Sequence, residues 1–252
     1  MTDDADALFS AGTTALKEGR AGDAVASFEA LADRGALDAA TSYDRGLAYA
    51  ARVRIGAEVP GDLGRAAQGF EEARALSPDA TLANDATHAL AVVRGEVARR
   101  RARAGDPVEL DQGLGLGRSV THLVSEDAWC ALAGVASIVL GAALFVRWLA
   151  RSRRARVVAT IAAAIAGPLM LVFAALTGSL RDERLHRREA VVVTTSARPA
   201  DERGITIANA TPLPEAALVE ITATRPGWAR VRWGTIDAWV PSSALRAVAR
   251  VE

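Results

Sequence analysis

The sequence predicts a multidomain chain: an all-α region over residues 1–104, a transmembrane helical hairpin in the middle, and a small all-β region over residues 190–252. Three observations predict it. Two long apolar runs, residues 129–149 and 157–180, stand close together and are separated by an arginine-rich link. Before them, small and apolar residues recur at helical spacing. After them come short runs of β-branched and aromatic residues, broken by turns that contain Pro and Gly.

The first apolar run carries no charge before Arg147. At a rise of about 1.5 Å per residue it reaches roughly 30 Å, the thickness of a bilayer's hydrocarbon core. The second run is uncharged and contains Gly167-Pro168, a kink that a membrane helix tolerates better than a soluble one. Trp129 and Trp148 stand at the two ends of the first run, where an indole suits the headgroup boundary. These features set expected spans of 128–150 and 157–180 around a link of 151–156. The alternative, two buried helices of a soluble core, conflicts with the absence of any polar face over such lengths. Two crossings place the flanking regions on one side of the membrane. Arg147, Arg151, Arg153, Arg154 and Arg156 crowd the link, whereas Arg118 is the basic residue close upstream of the first run. Positive charge is retained in the cytoplasm, so both soluble regions are expected outside it, at a bacterial inner membrane. Against that stand Arg181, Arg184, Arg187 and Arg188 after the second run, and a beginning, Met1-Thr-Asp-Asp, without a secretory signal pattern.

In the N-terminal region Gly12 and Gly46 are 34 residues apart. Leu8, Ala11, Gly12 and Ala15, then Ala24 and Phe28, form one set; Gly46 and Tyr49, then Ala66, Phe70, Ala73 and Pro78, form a second. These residues resemble tetratricopeptide repeats, in which helix pairs cross closely at small residues while an aromatic side chain fills the space between units. Three departures accompany the resemblance: Arg45 where an apolar residue is usual, Ala36 where proline is usual, and an insertion over residues 56–64. A further helix over residues 79–103 follows Ser77-Pro78 and caps the array. Arg99, Arg100, Arg101 and Arg103 complement the dipole at its C-terminal end. Residues 105–127 form a linker, and its glycines, Gly113, Gly115 and Gly117, follow no strand that would make them a phosphate loop. The repeat register places Phe9, Thr13 and Lys17 beside Tyr43 and Leu47 on the inner helices. Only Lys17 among them is charged, so a groove there suits an apolar or mixed protein segment. The alternative is that these side chains cover another part of the same chain.

In the C-terminal region residues 190–195, 217–222, 228–233 and 237–240 read as strands. Alternation in the third run sets Trp228, Arg230 and Arg232 on one face and Ala229, Val231 and Trp233 on the other. Gly227-Trp228, Val231 and Ala238-Trp239-Val240 resemble the ending of bacterial SH3-type domains, with Ala238 where glycine is usual. Trp228 and Trp239 are candidate contact residues, with core packing as the alternative for each. Asn209-Ala-Thr211 matches a glycosylation sequon, a frequent chance pattern.

The order of these parts resembles BatE-like proteins of bacterial aerotolerance operons. That resemblance implies a subunit of an envelope complex, with von Willebrand A-domain membrane proteins and a MoxR-type ATPase system as partners. Members commonly begin with a signal peptide, which this sequence does not show. Composition sets limits of its own. A formal net charge of +0 gives no basis for a nucleic-acid partner. The single cysteine, Cys130, permits neither an intramolecular disulfide nor a cysteine-based metal cluster. His88, His122 and His186 fall in three different regions with no nucleophile or metal-ligand pattern beside them. No enzyme, cofactor or metal is expected. The function that follows is a membrane-anchored scaffold or adaptor; the alternative is an anchored module that holds peptidoglycan.

Overall fold

The computed structural model describes residues 2–106, 126–186, 188–208 and 210–249, so most of the expected linker, with His122, and Asn209 of the sequon lie outside the described residues. The helices are α1 (Thr2–Lys17), α2 (Ala21–Asp33), α3 (Ala39–Arg54), α4 (Asp62–Leu76), α5 (Ala80–Ala104), α6 (Glu126–Leu149) and α7 (Arg153–His186). The strands are β1 (Arg188–Val192), β2 (Ser196–Ala197), β3 (Leu213–Pro214), β4 (Leu218–Arg225), β5 (Trp228–Trp233), β6 (Ile236–Pro241) and β7 (Leu245–Ala247). They divide into two compact units. One combines residues 1–112 with 188–252, and the other is residues 113–187.

In the first unit each helix packs on the next, and α3 also meets α1 and α5. Local signals set the boundaries. Asp38 caps α3 by accepting from the Thr41 amide at 2.7 Å, and Asp79 caps α5 by accepting from the Thr81 amide at 2.9 Å. Gly105, at φ 78°, ends α5 in the left-handed conformation that glycine adopts most easily. The α3–α4 connection covers residues 55–61, so it overlaps the expected insertion over residues 56–64, whose last three residues belong to α4.

The two hairpins α1–α2 and α3–α4 close in the same way. A Cβ on Gly12 would lie 2.8 Å from the Phe28 ring, and one on Gly46 would lie 2.8 Å from the Phe70 ring. Gly69 brings α4 onto α3 so closely that a Cβ there would meet the Ser42 carbonyl oxygen at 2.7 Å. Phe28 and Phe70 are both buried. Arg45, at a position where the helical pattern expects an apolar residue, is 1% exposed and is accommodated by ion pairing described below.

The four expected β runs fall on β1, β4, β5 and β6 of one antiparallel sheet, ordered β6-β5-β4-β1-β7, although β1 ends at Val192 and residues 193–195 of the first run lie outside it. β2 and β3 pair separately. These and β7 span only two or three residues, too few to show a period. Ala190, Val192, Leu213, Val219, Val231, Trp233 and Val240 form the core of this β region. Val191, Ala216 and Val248 belong instead to the helical core, alongside Phe28, Leu63 and Phe70. β1 is thus buried on both faces, which explains its continuous apolar run.

In the second unit α6 and α7 pack as an antiparallel pair. Trp129 lies against Phe173 with ring centroids 5.7 Å apart, and at the other end Arg147 reaches Thr160. Pro168 stands inside α7 without ending it. Over Asp127–Leu149 and Arg153–Ser179 the helices are long and apolar enough to cross a membrane, with mean hydropathies of 2.2 and 2.3. Their apolar side chains point outward: Ile138 is 72% exposed and Trp148 80%.

Phe28→Ala and Phe70→Ala should each destabilise the first unit by about 3–5 kcal/mol, the usual cost of deleting a buried aromatic ring. Chemical denaturation of the full chain in detergent, followed by the helical circular dichroism signal, measures this.

Candidate functional site

Three parts of the first unit bear on function: the α1 and α3 positions that the repeat register singles out, the contact of the helices with the β region, and the face of β5 and β6 that carries Trp228 and Trp239. Phe9 and Thr13 are one turn apart in α1, as Tyr43 and Leu47 are in α3, and all four are half-buried. Phe9 meets Phe28 edge-on at 6.1 Å, and Tyr43 tilts onto Phe70 at 5.5 Å. Each ring therefore covers the buried aromatic of its own hairpin and keeps part of its surface in solvent. The Thr13 hydroxyl donates to the Ser10 carbonyl at 3.0 Å, and Lys17 is exposed in the last turn of α1.

Acidic groups join these residues. Burial, with the charges of Asp85 and Asp44, pushes the Tyr43 hydroxyl above its ordinary pKa. Burial and Asp38 push the Asp44 carboxyl up, against Lys17. The repeat register does not single out Asp44 or Asp85. Asp44 directly follows Tyr43, and Asp85 comes from α5, whose placement beside α3 depends on the fold.

The β region packs on another face of the helices. β1 and β7 meet α4. The Gly64 amide donates to Glu215 at 2.9 Å, and a Cβ on Gly64 would lie 2.4 Å from the Val192 carbonyl oxygen. Arg94 of α5 bridges Glu71 at 2.9 Å and the Ala216 carbonyl at 3.4 Å. Phe9, Thr13, Lys17, Tyr43 and Leu47 take part in none of these contacts.

A buried charged cluster crosses the same junction. Arg45 pairs with Glu72 in the interior, and its Nε lies 3.9 Å from Glu29. Arg246 of β7 donates to Glu29 at 2.8 Å. Gln68 donates to Glu72 at 2.6 Å and to the Ala247 carbonyl at 3.2 Å, and the Ala249 amide also donates to Glu72 at 3.2 Å. Burial pushes the Glu72 carboxyl up despite Arg45. For Glu29, burial acts in the same direction, but the Arg246 hydrogen bond and charge, with Arg45 behind them, hold the carboxyl below its ordinary range. Burial and Glu29 push the Tyr49 hydroxyl up to about 12. The cluster joins helices to sheet.

On the outer sheet face Trp228 and Trp239 are half-buried, whereas Trp233 enters the β core. The alternation in Ala238-Trp239-Val240 turns Trp239 away from the interior. The Arg225 guanidinium lies 4.3 Å from the Trp239 ring centroid and 5.4 Å from that of Trp228, within cation–π range. Arg225 also donates to the Glu202 carbonyl. The Trp239 indole N–H is buried without a hydrogen-bond partner. Gly204, at φ 81°, lies under the Trp228 ring, where a Cβ would come within 3.1 Å. Among the described residues no group of three or more His, Cys, Asp or Glu is placed to hold a metal ion. Compared with known proteins, the chain matches no family model, no curated protein and no solved structure.

Arg45→Ala should cost about 3–5 kcal/mol, because it strands Glu72 in the interior without its cation. The folded Glu72 holds its proton to higher pH than the unfolded chain, whose carboxyl titrates near 4.5. A raised carboxyl favours folding at low pH, so the variant should regain stability as pH is lowered from neutrality towards that value. Glu29, held low, keeps its charge over that window. Denaturation midpoints of the variant across this pH range check the sign.

Proposed function

We propose that this chain is a non-enzymatic, membrane-anchored scaffold or adaptor subunit of a bacterial envelope complex. It binds a partner protein through the inner face of α1 and α3. The observation that carries this is the division of labour among the helices. The β region packs on α4 and reaches α2 through Glu29 and α5 through Arg94, while Phe9, Tyr43 and Leu47 on α1 and α3 retain apolar surface outside that contact. The recurrence of the Gly12–Phe28 contact at Gly46–Phe70 supports a tetratricopeptide-like arrangement, whose inner helices commonly bind extended or helical segments. Asp44 and Asp85 near Tyr43 favour a segment that combines apolar and basic residues.

The anchor is the α6–α7 pair, two membrane crossings. Residues on both sides of this pair build one folded unit, so they must lie on the same side of any membrane it crosses. An even number of crossings meets that condition. The arginines of the link favour a cytoplasmic turn and an extracytoplasmic folded unit at the inner membrane. The SH3-like β region, the order of the parts and this topology together suit an aerotolerance-type envelope assembly of the BatE-like kind. Von Willebrand A-domain proteins and a MoxR-type ATPase system are the proposed partners. A second reading, an anchored module for peptidoglycan, is favoured by the Trp228, Trp239 and Arg225 cluster on the outer sheet face. Co-sedimentation of the detergent-solubilised full chain with purified sacculi tests it, with Trp228→Ala as the control.

Photocrosslinking from position 43 or 47 in native membranes tests the scaffold. A crosslink to an envelope membrane protein is expected. Crosslinks confined to this chain would contradict the proposal.

A further inference from the structure

At the turn of the α6–α7 hairpin a wide-open surface cavity of about 720 Å³ is lined by six exposed residues, Arg147, Arg153, Arg156, Val157, Thr160 and Ile161. Positions 153, 156, 157, 160 and 161 follow helical spacing and share one face of α7, while Arg147 comes from the end of α6. The Arg147 guanidinium donates to the Thr160 hydroxyl at 2.7 Å, and that hydroxyl donates to the Arg156 carbonyl at 2.8 Å. Thr160 thereby fixes Arg147 across the two helices through one of its five N–H groups. Among the described residues, none of the three arginines pairs with a carboxylate. Asp127, the one acidic side chain described in this unit, is 20 residues from Arg147 along α6, about 30 Å at the helical rise. Three arginines thus line one opening with no carboxylate partner among the described residues. The same cavity has an apolar wall: Val157 is 51% exposed and Ile161 56%.

We infer that this cavity binds the phosphodiester headgroup of an anionic membrane lipid. Arg147, Arg153 and Arg156 hold the phosphate oxygens, and Val157 and Ile161 meet the glycerol and upper acyl carbons. Guanidinium forks match the oxygens of a phosphate bidentately. Basic pockets between membrane helices suit anionic headgroups because the phosphate lies at the depth where the helix ends emerge. A free phosphate would satisfy the arginines but not the two apolar side chains on the same lining, so the lipid is the occupant. The inference rests on the hairpin's insertion in a membrane, which resistance of the full chain to alkaline extraction establishes separately.

The test uses the purified full chain in neutral detergent, titrated with phosphatidylglycerol or phosphatidylcholine and read by native mass spectrometry. Wild type should retain phosphatidylglycerol in preference to phosphatidylcholine. Arg147→Gln with Arg156→Gln should weaken that binding by about thirtyfold, the loss of two arginine contacts. Arg151→Gln with Arg154→Gln removes the same charge from the same link but does not touch the cavity lining, and should leave binding within about threefold of wild type. Thr160→Val keeps every charge and releases Arg147, so its binding should fall between these two. Equal losses in the two double variants would replace the site with diffuse attraction and overturn the inference. So would indifference of wild type to the headgroup, or displacement of the lipid by millimolar inorganic phosphate, which would mark a free-anion site.

Discussion

The close approach of α4 to β1 is the constraint on which the first unit depends. Gly64 and Gly61 bring the start of α4 within reach of the Val192 and Val193 carbonyl oxygens, at distances that no side chain beyond glycine permits. That approach lets the Gly64 amide reach Glu215 and lets Val191, Ala216 and Val248 enter the helical core. It also sets the position of residues 247–249, where the Ala247 carbonyl accepts from the Gln68 amide and the Ala249 amide donates to Glu72. Burying Arg45 and Glu72 would be expensive if either lost its partner, so the ionic cluster specifies one mode of docking more than it adds stability. Hydrophobic burial on both faces of β1 supplies the driving force.

Connectivity turns this packing into a statement about architecture. The docked segments are separated in sequence by the whole α6–α7 hairpin, so the unit cannot be completed until the chain has passed through both apolar helices. The β region holds one side of the helices, and Phe9 of α1 and Tyr43 of α3 stay half-buried outside that contact. The proposed scaffold role would draw on this arrangement, because a rigid array loses less conformational entropy on binding than a flexible one.

Much of this was legible in the residues. Period and caps marked α5, whose observed start follows Asp79, and alternation assigned the two faces of β5. The apolar runs marked α6 and α7 because a helix that is apolar all round must bury its whole circumference, in a large core or in a bilayer. The glycine and aromatic spacing located the two close helix crossings. The union of the N- and C-terminal regions was not legible, since no local pattern records which surface a strand meets. Two traces were present all the same. The uninterrupted Ala190-Val-Val-Val run is the composition of a strand buried on both faces, and Arg45 at an apolar position called for a buried anion. Glu72 and Glu29 supply that anion from other helices, which periodicity along one helix does not reveal. Tyr43 illustrates the same limit, because its acidic neighbour Asp85 arrives from α5 through the fold.

Amide hydrogen exchange tests the shared fold of the two regions most directly. The comparison is between the full chain and a chain ending at Leu180, both in the same detergent. Removal of the β region should strip protection from the α4 amides around Gly64 and Gln68, which pack on β1 and β7. Unchanged protection of α4 in the shortened chain would contradict the shared fold and would make the helical region an independent domain.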